Sequence, residues 1–188
     1  GAWPGTLKDV AMATDYVKEL AKKYPIDAKK VAVVGHSAGG HLALWLAARK
    51  QLPKTSLLYT DKPLKLTGAV ALAGIPDLAN YGSEAGSCNA AVEQLIGGSI
   101  TQYPERYAQA SPQQMPPLHV PLRLVQGTQD PIVPVSQAEN FAAMVNAKKG
   151  NAQVILLPEA GHFDLVVPHS QVWPQVLQAV ETVLPLSL

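Results

Sequence analysis

The sequence predicts an α/β domain, a mostly parallel sheet with helices on both faces. Three observations predict it. Strand-like and helix-like patterns alternate along the chain, the signature of βαβ units. The run Val31 to Val34 is short, continuous and β-branched, as expected of a strand covered on both faces. The segment Ala38 to Lys50 reads as a helix apolar nearly all round, hence buried.

The elements follow in order. Leu7, Val10, Ala11, Thr14, Val17, Leu20 and Tyr24 recur at spacings of three and four, an amphipathic helix. Thr6 with Asp9 resembles a capping box at its start, and Pro25 stops it. After the strand Val31 to Val34 and the helix Ala38 to Lys50, further strands are expected at Leu66 to Ala73, Val120 to Gln126 and Val154 to Leu157. Between the last two lies a helix with its own start pattern, Ser136 to Glu139. Its apolar face is Phe141, Met144 and Val145, and Gly150 is its expected C-terminal cap. A final helix is expected from about Gln171 to Leu184, with Pro174 in its first turn and Pro185 at its end. The stretch Ile75 to Pro117 is rich in Gly, Ser, Asn, Gln and Pro, with short helices expected near Ala90 to Ile96 and Pro104 to Gln109. An insertion of that length between strands is expected to be functional, a cap or substrate-shaping excursion from a single domain spanning residues 1–188.

Composition excludes several classes. Of 188 residues 47% are hydrophobic and 15% charged, which suits a packed core and argues against disorder. The net charge is +1 and basic residues do not cluster, so no nucleic-acid footprint is expected. No apolar run reaches the roughly 18 residues of a membrane span. Cys88 is the single cysteine, which excludes an internal disulfide and a cysteine metal cluster. Compartment and oligomeric state stay open.

In open parallel sheets, sites form at the carboxyl ends of the strands. His36 and Ser37 follow the first strand, Asp130 follows the third and His162 follows the fourth. Gly35-His36-Ser37-Ala38-Gly39 matches G-x-S-x-G between a strand and a helix. Such a turn is sharp, and side chains two before and two after the serine are expected to collide with backbone. It lifts the hydroxyl clear of the sheet, and the Ala38 amide at the helix start can donate to an oxyanion. A serine hydroxyl needs a base to take its proton, and His162 is the candidate. Asp130 is the candidate to hold that imidazole in one tautomer.

Other readings stand beside these. Ser37 can be a turn residue, Asp130 a turn residue before Pro131, and His162 a structural histidine. Asp164 and Asp77 are rival acids, Asp164 better read as a loop or helix-start group. His36 and Ile75 are candidates for shaping the substrate site, and His41 for packing on the buried helix. His119 and His169 read as surface residues, Cys88 as incidental, and Trp3, Trp45 and Trp173 as packing residues.

The stretches WPGTLKDV, GHSAGGHLAL, GTQDPIVPVSQA and LPEAGHFDLV, spread along essentially the whole chain, resemble the α/β-hydrolase superfamily, in its bacterial esterase and kynurenine formamidase-like branch. That resemblance implies hydrolysis of small carboxylic esters or amides through an acyl-serine, with no metal or organic cofactor. A carboxylesterase is the first expectation, an arylformamidase acting on N-formylkynurenine the second, and a prolyl oligopeptidase-like peptidase the third. A non-catalytic hydrolase-fold binding protein is the expectation from another class. The family pattern has eight strands, and the four here correspond to its last four. Its HGG-type motif, a source of further oxyanion amides, is absent from this sequence. The chain is therefore expected to be the C-terminal part of a hydrolase, partnered by the N-terminal half of the same protein or by a dimer mate, besides its small acyl substrate.

Overall fold

The computed structural model describes residues 1–83, 88–117 and 119–184. Four parallel strands, β1 (Ala32–His36), β2 (Gly68–Leu72), β3 (Leu122–Gly127) and β4 (Ala152–Leu157), form one sheet in the order β1-β2-β3-β4. Helices α1 (Gly5–Leu20), α2 (Ala38–Ala48), α3 (Leu78–Ser83), α4 (Ala90–Ile96), α5 (Pro104–Ala110), α6 (Val135–Ala147) and α7 (Trp173–Val183) surround it. The period of two along each strand divides the core. Ala69, Ala71, Leu122 and Leu124 pack with Leu44 of α2 and with Phe141 and Val145 of α6. Val70, Leu72 and Val125 belong to the larger core, which takes in Val176, Ala179 and Val183 of α7. β2 is buried at every position, as a central strand requires, whereas β1 is an edge and Val34 is 48% exposed.

The sheet and the fold class agree with expectation, and the differences lie at element ends. α1 starts at Gly5 with Pro4 as its N-cap and no side-chain cap, so the Thr6–Asp9 capping box does not form. The amide of Thr6 already donates to the Ala2 carbonyl, which places Thr6 inside the first turn. α1 ends at Leu20, and Tyr24 lies outside the helix, exposed. In α6, Pro134 is the N-cap, ahead of Ser136, and again no side chain caps. At its other end Lys149, not Gly150, takes the left-handed conformation at φ 63°. Gly150 is one residue further on, its amide reaching the Val145 carbonyl and that of Lys149 the Asn146 carbonyl, a Schellman pair. Pro174 stands in the first turn of α7, and Pro185 lies outside the described residues.

The excursion between β2 and β3 holds α3, α4 and α5, and residues 84–87 lie outside the described set. α4 and α5 fall where the sequence places them, and α3 is additional. The excursion is fastened to the elements beneath it. Trp45 Nε1 donates to the Gln109 carbonyl, His41 Nε2 to the Ala110 carbonyl, and Gln137 Nε2 to the Asp77 carbonyl. Among the described residues, no helix is long and apolar enough to cross a membrane.

Candidate active site

The site begins with a strained residue. Ser37 has φ 56° and ψ −118°, a conformation disfavoured for a side-chain-bearing residue by about 1–3 kcal/mol. Burial holds it. α2 starts at the next residue and buries Leu44 and Trp45 completely, and full burial of one leucine contributes about 1.5–3 kcal/mol. The Ser37 amide donates to the Leu72 carbonyl of β2, while its own carbonyl accepts from His41 in the first turn of α2.

The glycines around it divide their roles differently from expectation. A Cβ on Gly35 would lie 2.0 Å from the Gly39 carbonyl oxygen, so only glycine fits there. A Cβ on Gly39 would meet nothing within 4 Å, contrary to the expected collision. The crowding falls one residue later, where a Cβ on Gly40 would come 2.8 Å from the Gly74 Cα, because α2 crosses the end of β2 there.

Asp130 and His162 are brought together from two different loops. Gly127, at the end of β3, makes room: a Cβ there would lie 2.3 Å from the Ala160 oxygen. The Gln129 amide donates to that same oxygen, stitching the loop after β4 onto the loop after β3. His162 Nδ1 then donates to Asp130 Oδ2 at 2.7 Å. Both side chains are almost wholly buried, at 4% and 0% exposed. Burial alone would raise the Asp130 carboxyl, but the Val133 amide, the His162 imidazole and the Ile132 amide outweigh it. The net effect holds its pKa below the ordinary carboxylate value. With its Nδ1 proton engaged by a carboxylate, His162 carries its lone pair on Nε2.

Gln126 is the residue that the sequence reading missed. It is fully buried on β3, and its Nε2 donates to Asp130 Oδ2 and to the Val133 carbonyl, each at 3.0 Å. The opposite amide orientation would set oxygen against carboxylate oxygen, so the donor must face Asp130 even though Oε1 is left without a partner among the described residues. The available signal was a glutamine in an otherwise apolar strand end, LRLVQG.

His36 packs against the pair. Its Nε2 donates to the His162 carbonyl at 2.8 Å, and the two rings lie 4.5 Å apart. Ser37 is thus the chain neighbour of a residue bonded to His162. Its side chain is half-buried, and its Oγ makes no hydrogen bond among the described residues. The Ala38 amide stands at the first position of α2, where no carbonyl of the helix can reach it, and Ala38 is exposed. Ile75 lies in the main core at 7% exposed.

The rivals go elsewhere. Asp164 Oδ2 accepts the Gly161 amide and begins a short 3-10 turn. Asp77 Oδ1 accepts from the Asn80 amide at the start of α3. His41 is buried, bonded to Ala110, and burial pushes it down to about 4. His119 and His169 are exposed, as is Cys88. Trp45 is fully buried, and Trp3 and Trp173 pack partly buried against the core. A cavity of about 620 Å³ lies at the opposite end of the sheet, lined by Arg49, Lys62, Leu64, Pro117 and Val120 among others, and shares no residue with the Ser37, Asp130 and His162 group.

Known proteins resemble this chain over most of its length. The BD-FAE family model matches residues 1–145. Esterase LipC of Mycobacterium tuberculosis is 28% identical over 176 residues, covering 87% of this chain and 42% of its own length. Kynurenine formamidase of Meyerozyma guilliermondii is 30% identical over 179 residues, covering 90% of this chain and 61% of its own. Among solved structures, a truncated carbohydrate esterase from gut microbiota superposes with a TM-score of 0.72 at 24% identity, covering 86% of this chain and 62% of that one. A thermophilic esterase of Thermogutta terrifontis, solved with propionate bound, gives 0.71 at 18%, covering 97% and 67%. These two likenesses concern fold alone. The chain spans about two fifths of the length of the LipC and LipQ esterases that it matches. A parallel sheet with a strained Gly-His-Ser-Ala-Gly turn at the end of β1, together with that match over residues 1–145, places the chain in the BD-FAE family of the α/β-hydrolase superfamily.

Proposed function

We propose that this chain carries the nucleophile, base and acid of a serine hydrolase that cleaves small carboxylic esters, with small amides as a second substrate class. The observation that carries the reading is the buried 2.7 Å bond from His162 to Asp130, packed against the residue that precedes a strained Ser37. Its chemistry follows from the tautomer. The Nε2 lone pair of His162 takes the Ser37 hydroxyl proton as Oγ attacks the acyl carbon. The carbonyl oxygen gains the negative charge, and the Ala38 amide donates to it. Collapse breaks the bond to the leaving group, which departs with the proton from His162. Water then attacks the acyl-serine, giving its proton to His162, and the second collapse returns that proton to Ser37 and releases the acid. Asp130 stays ionised throughout and stabilises the imidazolium. The group needs no metal or organic cofactor for these steps.

Three strand ends bearing all three groups favour catalysis over a non-catalytic binding role, which has no use for a buried His–Asp pair beside an elbow. The relatives named as esterases put carboxylic ester hydrolysis first. The kynurenine formamidase relative supports arylformamidase action as the second reading, since the same steps release formate from an N-formyl amide. The exposed edge of β1 supports a further part of the proposal. Additional strands, from the N-terminal half of the same hydrolase or from a dimer mate, pair with β1 and bring a second oxyanion donor. Loss of one such donor costs about 10²–10³ in kcat.

The test is turnover of p-nitrophenyl acetate and of N-formylkynurenine by the complete encoded polypeptide and its Ser37→Ala variant. Turnover abolished in the variant is expected. Turnover that survives it contradicts the proposal, and the ratio of the two substrates separates the two readings.

A further inference from the structure

His36 touches His162 twice, through a hydrogen bond and through its ring, yet no step above uses it. Its Nε2 lies 2.8 Å from the His162 carbonyl oxygen. A carbonyl only accepts, so Nε2 carries the His36 proton and donates it. The ring sits 4.5 Å from the His162 ring at a 52° tilt, and the Phe163 ring closes the cluster at 5.8 Å from His36 and 5.0 Å, edge-on, from His162. His36 is also the last residue of β1, so its backbone is fixed by pairing with Leu72 of β2. A strand end and a loop therefore hold His162 by different handles. Asp130 grips the imidazole at Nδ1, which sets the rotation of the ring. His36 grips the main chain, which sets the position of the whole residue.

The position matters because His36 precedes Ser37. A bond from residue 36 to the His162 backbone ties the loop after β4 to the elbow itself rather than to the sheet at large. Burial pushes the His36 pKa down, a change that the neighbouring His162 reinforces and the carbonyl bond and Asp130 oppose.

We infer that His36 is a positioning residue that fixes the distance between His162 and Ser37 through its bond to the His162 main chain. This rests on Ser37 and His162 being nucleophile and base. His36 itself exchanges no proton with substrate.

The experiment compares His36→Gln, which can still donate to the carbonyl, with His36→Phe, which keeps a ring and loses the donor. Both are made in the complete encoded polypeptide. Measured are kcat and KM for p-nitrophenyl acetate, the rate of fluorophosphonate labelling, and Tm. His36→Phe is expected to lower kcat and the labelling rate together by about 10- to 100-fold, the scale of a misplaced reacting group, with KM unchanged. His36→Gln is expected to recover most of that loss. Full speed in His36→Phe, or equal slowing in both variants, overturns the inference. If His36→Phe does not fold, His36→Gln against the shorter His36→Asn decides: Asn slower than Gln supports the tether, and equal rates overturn it. A Ser37→Ala control that remains active overturns the underlying reading and this one with it. An inactive Ser37→Ala beside a fast His36→Phe overturns the positioning role alone.

Discussion

Asp130 shows how much a single carboxylate is asked to do here. Its Oδ1 accepts the amides of Ile132 and Val133, and its Oδ2 accepts from His162 and Gln126. Four donors around a buried charge keep it ionised against the cost of desolvation. The sequence marks Asp130 through its place after the third strand, between Ser37 and His162 in chain order. Gln126 was not legible in the same way, because a strand residue declares its period and not its partners. The same limit applies to His36, whose bond to His162 spans 126 positions of sequence. Asp130→Asn keeps the shape of the group while placing an amide opposite Nδ1, so the wrong His162 tautomer becomes favourable. It is expected to lower kcat by about 10⁴, read in steady-state hydrolysis of p-nitrophenyl acetate, with the fold intact by circular dichroism. Activity within a few-fold of the parent contradicts the assignment of Asp130 as the orienting acid.

Among the elements, α2 links the elbow to the excursion. Its buried His41 and Trp45 donate to the Ala110 and Gln109 carbonyls at the end of α5. A helix apolar on all sides was legible as buried, but which segment covers it was not. Short helices such as α3, with Gly and Ser among its six residues, lack the periodicity that exposes longer ones. The misread helix starts have a related cause. Ser/Thr-x-x-acid patterns at Thr6 and Ser136 fall inside helices whose first turns are already set by Pro4 and Pro134. His41 gives this element a pH signature. The folded chain protonates it only near pH 4, whereas the unfolded chain does so near 6.5. Between those values the unfolded state binds more protons, so stability falls as pH falls. The loss reaches about 3 kcal/mol by pH 4, at 1.36 kcal/mol per unit. Urea unfolding between pH 7 and pH 4 is expected to show this slope, and His41→Gln, which can still donate to Ala110, is expected to remove that share of it. Identical slopes in the two proteins contradict the account of His41.

At the scale of the molecule, the site exists because three strands of one parallel sheet end on the same side. Continuous apolar runs made the strands legible, and their alternation with helices made the parallel order legible. From that order and the G-x-S-x-G pattern, Ser37, Asp130 and His162 are expected at strand ends on one side of the sheet, and Asp130 and His162 do meet there. The close approaches at Gly35, Gly40 and Gly127 are what the sequence shows only as glycine, since each depends on a carbonyl or backbone atom from another segment. The edge position of β1 is equally a property of the assembled sheet.

In the proposed mechanism this sheet presents Ser37 as a nucleophile. That role is tested most directly by treating the complete encoded polypeptide with a fluorophosphonate and mapping the adduct by peptide mass spectrometry. A single adduct on Ser37 is expected, absent in Ser37→Ala and strongly slowed in His162→Ala. An adduct on another residue, or labelling undiminished in Ser37→Ala, would contradict it.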